Sequence, residues 1–178
     1  MDNNTYEGGK LMLEHGNITS KLKQVMNNIR EATDGKVSIH GQPYATVGLR
    51  VKCLRQVLGS LITIKSEMIN VNEKSVTFKS YVYLNDIGFH EGQILLSEGY
   101  AHKSFEDVKP FLKPSIIEFC QTSSVGRALG FLGLIGDTEA IPSAEEMLLG
   151  GATIDANTIT SNKQSGKKGK GGEDAFAN

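Results

Sequence analysis

The chain has 178 residues, a net charge of −1 and two cysteines, Cys53 and Cys120. That suits one compact domain able to bury a core, and it excludes a disulfide framework; both cysteines read as small buried apolar residues. No apolar run reaches the roughly 20 residues that cross a bilayer. The start, MDNNTYEGGK, has neither the cationic nor the apolar stretch of a signal peptide, so a cytoplasmic protein with no membrane partner is expected.

Residues 1–17 carry no apolar period and are expected to form a flexible arm. A helix follows from Thr19 or Ser20, with Leu22, Val25, Met26 and Ile29 on one face and Asp34-Gly35 ending it. Lys36 to Gly41 reads as a short strand or a turn. Tyr44, Val47, Val51, Leu54 and Leu58 mark a second amphipathic helix, started at Gln42-Pro43 and closed by Gly59. Period two then takes over. Leu61–Asn70, Val76–Leu84 and Gly92–His102 read as strands, linked by turns at Asn72-Glu73-Lys74 and Asn85–Glu91. Ser115 with Glu118, and Ser143 with Glu146, have capping-box spacing. They predict a long helix ending at Gly133 and a short one ending at Gly150-Gly151. The Ser-, Asn-, Gly- and Lys-rich segment 150–178 is expected to be a disordered tail with an acidic tip, because it cannot bury enough surface to offset its ordering entropy. The expected fold is therefore α+β, with a core over 18–149. In it an antiparallel sheet of three strands, or slightly more, packs on a long helix, preceded by N-terminal helices.

Catalytic signals are weak. His15, His40, His90 and His102 have no metal-ligand spacing, and no Cys-x-x-Cys, phosphate loop or nucleophile elbow is present. Asp86, Glu91, Glu98 and Glu118 read as solvated carboxylates rather than a metal-nuclease centre. Cys53 beside His40 or His90 has no local support as a nucleophile pair. No enzyme activity, cofactor or metal is expected. Charge gives more. Residues 21–127 hold 14 Lys+Arg against 10 Asp+Glu, whereas both ends are acidic. Arg50, Lys52 and Arg55 cluster on the second helix, and Lys65, Lys79 and Lys103 lie on the strands. Arg127 sits among the small residues of Ser123-Ser-Val-Gly-Arg-Ala-Leu-Gly130, which let another backbone, or a phosphate chain, come close. These seven are the candidate DNA-binding residues. Tyr81, Tyr83 and Phe89 could stack on bases or pack between strands.

Gln121-Thr-Ser-Ser-Val-Gly-Arg-Ala-Leu-Gly-Phe-Leu-Gly133, followed by Pro142-Ser-Ala-Glu-Glu-Met147, resembles the C-terminal motif of phage single-strand annealing proteins of the Erf and Sak kind, and a comparable helix of the eukaryotic Rad-fifty-two proteins. Tyr44–Gly59 is similar to an upstream helix of that family, and Glu98-Gly-Tyr-Ala-His102 to the end of one of its strands. The resemblance covers about residues 40–148. It implies a β-β-β-α core, a homo-oligomeric ring or filament, and single-stranded DNA held by its phosphates with bases exposed for pairing in recombination and repair. It implies Arg127 as a phosphate contact and Arg50 near another, whereas Gly126 stands where the eukaryotic proteins have a second basic residue. Lys52 and Arg55 come from charge clustering alone. A protective single-strand-binding protein without annealing activity is the alternative, and the tail is a candidate contact for a replication or recombination protein.

Overall fold

The computed structural model describes residues 4–85, 92–106, 110–137, 141–149 and 154, with 4–16, 111, 112 and 149 described for their backbone. Helix α1 (Asn4–Glu31) leads into a hairpin of β1 (Lys36–Ile39) and β2 (Gln42–Ala45), then α2 (Val47–Leu58). A three-stranded sheet follows, of β3 (Ile62–Val71), β4 (Ser75–Asn85) and β5 (Gln93–Ser104). Then come α3 (Ile116–Phe131) and a short α4 (Ala144–Leu149). The sheet is antiparallel in the order β3-β4-β5 and packs on α3, so the α+β expectation holds.

Two boundaries differ from the sequence reading. Helix α1 starts at Asn4, so most of the arm expected over 1–17 is its first half. Val25 and Ile29, fully buried, anchor the C-terminal half, and extending a helix already nucleated is cheap even without an apolar stripe. Tyr44 belongs to β2 rather than to α2. The chain turns at His40 (φ 52°) and Gly41 (φ 76°), the left-handed pair of a two-residue hairpin. Helix α2 begins after Thr46, whose Oγ1 accepts from Leu49 N at 3.1 Å, and it ends at Gly59 with φ 52°.

The first turn of the sheet forms as expected, with Asn72 Oδ1 accepting from the Lys74 and Ser75 amides at 2.8 and 3.0 Å. The second, within Asn85–Glu91, falls largely outside the described residues. Of the two capping boxes one forms. Ser143 Oγ accepts from Glu146 N at 3.4 Å, and a Glu146 carboxylate oxygen accepts from Ser143 N at 3.3 Å. At Ser115 the side chain makes no capping bond. A 3₁₀ turn over Pro110–Ser115 runs straight into α3 and leaves Ser115 at ψ 16°, not the extended conformation a cap requires. The expected tail lies outside the described residues except Ile154, which bridges to Ile39.

Alternation along β4 sets the layers. Val76, Phe78, Ser80 and Val82 are buried towards α3, whereas Thr77, Lys79, Tyr81 and Tyr83 occupy the opposite face. The main core joins Val25, Ile29, Leu49, Leu54, Leu58, Ile62, Val82 and Leu129, and a smaller one joins Val76, Phe78, Ala101, Ile116 and Cys120. Serines let sheet and helix approach closely. Ser80 Oγ lies 2.8 Å from Ser66 Oγ and 2.6 Å from Ser124 Oγ, and Ser124 donates to the Gln121 carbonyl at 2.7 Å. Cys53 and Cys120 are both buried, and burial pushes both thiols above the ordinary cysteine range. Iodoacetamide at neutral pH is therefore expected to alkylate neither cysteine in the folded protein and both in denaturant; mass spectrometry of the intact chain checks this.

Candidate nucleic-acid interface

The seven basic residues separate into three settings. Arg50 is 0% exposed although it lies on α2 beside Lys52 and Arg55. Its Nη1 donates to the carbonyls of Gly126 and Ile141 at 3.3 and 3.2 Å, and its Nη2 to that of Pro142 at 3.2 Å. Burial lowers its pKa, and the Glu145 and Glu146 carboxylates oppose that shift. This corrects the expectation for Arg50: a guanidinium withdrawn from water and bonded to three carbonyls cannot also meet a phosphate. It fastens the segment before α4 to α3.

Lys52 and Arg55 do face solvent, on the outer side of α2. Lys52 lies 3.4 Å from Asp34. Arg55 Nη1 donates to the carbonyls of Gly59 and Ile62 at 3.1 and 2.6 Å, closing the junction from α2 to β3.

The remaining four lie on the three-stranded sheet and on α3: Lys65 on β3, Lys79 on β4, Lys103 on β5 and Arg127 on α3. Register places Lys65 opposite Tyr81, and Lys79 opposite Tyr100, on the sheet face turned away from α3. The Tyr81 and Tyr83 rings stack with centroids 5.8 Å apart. The Lys79 ammonium sits 4.9 Å from the Tyr81 ring centre and 4.7 Å from that of Tyr100. It also pairs with Glu98 at 2.8 Å, and this bond, joined by one to Tyr100, holds the ammonium charged well above the usual lysine range. The open face thus carries tyrosine rings and two lysines, with Glu67 and Glu98 interleaved.

Arg127 stands on α3 beside β5, an edge strand of the sheet. Its Nε donates to Glu146 Oε1 at 2.9 Å and its Nη1 to the Tyr100 carbonyl at 2.8 Å, while 44% of its side chain stays exposed. Lys103, half-buried on the same strand, pairs in register with Val76 on the face that packs on α3, so it shares that side of the sheet with Arg127. Tyr100, 48% exposed, joins the two sides: its carbonyl holds Arg127, and its ring lies under Lys79.

Tyr100 and Glu146 are the residues of the candidate site that the sequence reading missed. The Glu98, Tyr100, His102 alternation would have placed Tyr100 on the Lys79 face, and the Ser143-to-Glu146 box held the carboxylate without pointing to its second bond. Phe89, Asp86 and Glu91 lie outside the described residues. Among the described residues no three His, Cys, Asp or Glu side chains could hold a metal ion, and no helix is long and apolar enough to cross a membrane.

The small residues of the motif have a packing role. A Cβ on Gly126 would lie 2.9 Å from Val47 Cγ2, and one on Gly130 would lie 2.8 Å from Ile141 Cγ2 and 3.1 Å from the Ile141 carbonyl oxygen. The backbone that comes close here is the chain's own. Compared with protein-family models, with curated proteins and with solved structures, the chain has no match.

Proposed function

We propose that the protein binds single-stranded DNA and anneals complementary strands as a homo-oligomer, without nucleotide or metal. One observation carries the reading: a half-exposed guanidinium is pinned at the edge of a sheet whose neighbouring face presents tyrosine rings and lysines. Arginine offers a fork for phosphate oxygens, and aromatic faces accept bases of any sequence. Arg127, Lys103, Lys79 and Lys65 are the proposed contacts, with Lys52 and Arg55 on a separate surface and Arg50 left out. The resemblance of the Gln121–Gly133 segment to annealing proteins points the same way. A net charge near zero fits a grip repeated along an oligomer better than a tight one in a single subunit. The stacked pair of Tyr81 and Tyr83 favours a second reading, a protective single-strand-binding protein, since stacking on the protein would hide the base faces.

Two dye-labelled complementary oligonucleotides mixed in EDTA without nucleotide separate these readings. Faster pairing at near-stoichiometric protein is the expected result; binding with slowed pairing would favour protection. Arg127→Ala is expected to weaken binding of oligo-dT about tenfold and to lower the salt slope by roughly 0.7, one phosphate's worth on a single strand. Thermal stability should fall by about 1–3 kcal/mol, because the Glu146 side chain, 7% exposed, loses its cation. Unchanged affinity and slope would remove Arg127 from the interface.

A further inference from the structure

We propose that Glu146 is a positioning residue that sets the guanidinium of Arg127 for an incoming phosphate; this rests on the reading of Arg127 above. An arginine side chain on an open surface samples many rotamers, and ordering it on binding costs affinity. Here the ordering is built into the fold. Arg127 Nε donates to Glu146 Oε1, and Nη1 donates to the Tyr100 carbonyl, so the guanidinium plane is fixed from two sides. Among the described residues Nη2 has no protein acceptor.

Glu146 is itself held. Its side chain is 7% exposed, and its other carboxylate oxygen accepts from Ser143 N in the capping box of α4. The segment that carries Ser143 is tied down in turn by Arg50, through the carbonyls of Ile141 and Pro142. The links from Arg50 to Glu146 are buried or half-buried hydrogen bonds, and the last, from Arg127 to Glu146, lies at the surface. Each link also restricts the next side chain, from Arg50 to the loop, to the cap, to Glu146 and to Arg127. A carboxylate beside a phosphate contact also repels phosphate, so replacing Glu146 tests orientation against charge.

The test is fluorescence anisotropy with labelled oligo-dT on the full chain, with the thermal midpoint of each variant recorded. Glu146→Ala is expected to weaken binding severalfold, even though it removes a negative charge. Glu146→Asp keeps the charge and can still cap α4, but it is one methylene too short to reach Nε, and it should weaken binding to a similar extent. In the Arg127→Ala background, Glu146→Ala should have no further effect, a non-additivity that a merely structural role would not produce. Should Glu146→Ala fail to fold, the Asp variant alone and combined with Arg127→Ala decides. Tighter binding by Glu146→Ala would make the carboxylate a competitor of phosphate and overturn the proposal, and so would unchanged affinity in both single variants. Wild-type affinity in Arg127→Ala would instead remove Arg127 from the interface, and this inference with it, whereas no binding of oligo-dT by the parent chain would overturn the functional reading.

Discussion

Arg50→Ala is expected to destabilise the protein by about 3–5 kcal/mol, the cost typical of removing one member of a buried charged network. Three carbonyls lose their donor: those of Gly126, Ile141 and Pro142. Each acceptor left buried and unsatisfied costs on the order of 1–3 kcal/mol, and the cavity of a large side chain adds to this. Glu145 and Glu146 lose their nearest buried cation as well. For a chain of this length the loss corresponds to a fall in Tm of roughly 10 °C or more. Arg50→Lys should restore part of it, since an ammonium keeps the charge but cannot span carbonyls on two segments as the planar fork does. Differential scanning calorimetry measures the shift. A normal Tm combined with lost DNA affinity would contradict the structural assignment and return Arg50 to the interface.

The burial of Arg50 also marks where sequence reasoning stopped. Helix periodicity placed Arg50, Lys52 and Arg55 together by their charge, and two of the three do face solvent. Arg50 falls instead among Leu49, Cys53 and Leu54, on the side of α2 that meets α3. What buries it is long-range: the glycines of α3 leave space that the chain at Ile141 and Pro142 fills, about ninety residues away in sequence. Local pattern holds no record of such a partner. The three strands were legible because alternation fixes which face is buried, and the register of β3, β4 and β5 keeps that alternation except at irregularities by Met68–Asn70 and Val82–Tyr83. The β1–β2 hairpin was not, because Tyr44 happens to fall in helical phase with Val47, Val51, Leu54 and Leu58. The turn signal there was the His40-Gly41 pair, and Thr46 was the signal for the helix start. The two capping boxes carry a related lesson. Ser115 and Ser143 have the same spacing to a glutamate, yet the backbone entering the helix decides which cap forms.

The candidate site was partly legible for the same reason. Arg127 could be read as a side chain among small residues, and it is half-exposed as that reading needs. Its partners could not be read, since Tyr100 and Glu146 lie 27 residues before it and 19 after it. The motif therefore combines two roles. Its glycines bring α3, the start of α2 and the segment before α4 into contact, and its arginine emerges between β5 and α4.

Gly99→Ala tests that junction most severely. A methyl group at residue 99 would lie 2.3 Å from Ala128 N, 2.6 Å from the Ser124 carbonyl oxygen and 2.9 Å from Arg127 C. All three are backbone atoms of α3, so no rotamer change relieves the clash, and the helix must move off the strand. That movement would stretch the 2.7 Å bond from Ser97 Oγ to the Ala128 carbonyl and the 2.8 Å bond from Arg127 Nη1 to the Tyr100 carbonyl. The expected loss is about 3 kcal/mol, the upper end of ordinary overpacking. DNA affinity should fall as well, because the Arg127 contact to β5 is displaced, although Gly99 is buried and offers no side chain to a ligand. Gly48→Ala is the matched control. It lies on the exposed side of α2, where a Cβ would meet only Thr46 Oγ1 at 3.9 Å. There the same change should stabilise by about 0.5–1 kcal/mol, the helix preference of Ala over Gly. Thermal denaturation of both variants reads opposite signs if β5 and α3 meet backbone to backbone. A Gly99→Ala variant as stable as the parent would mean that sheet and helix stand further apart than described.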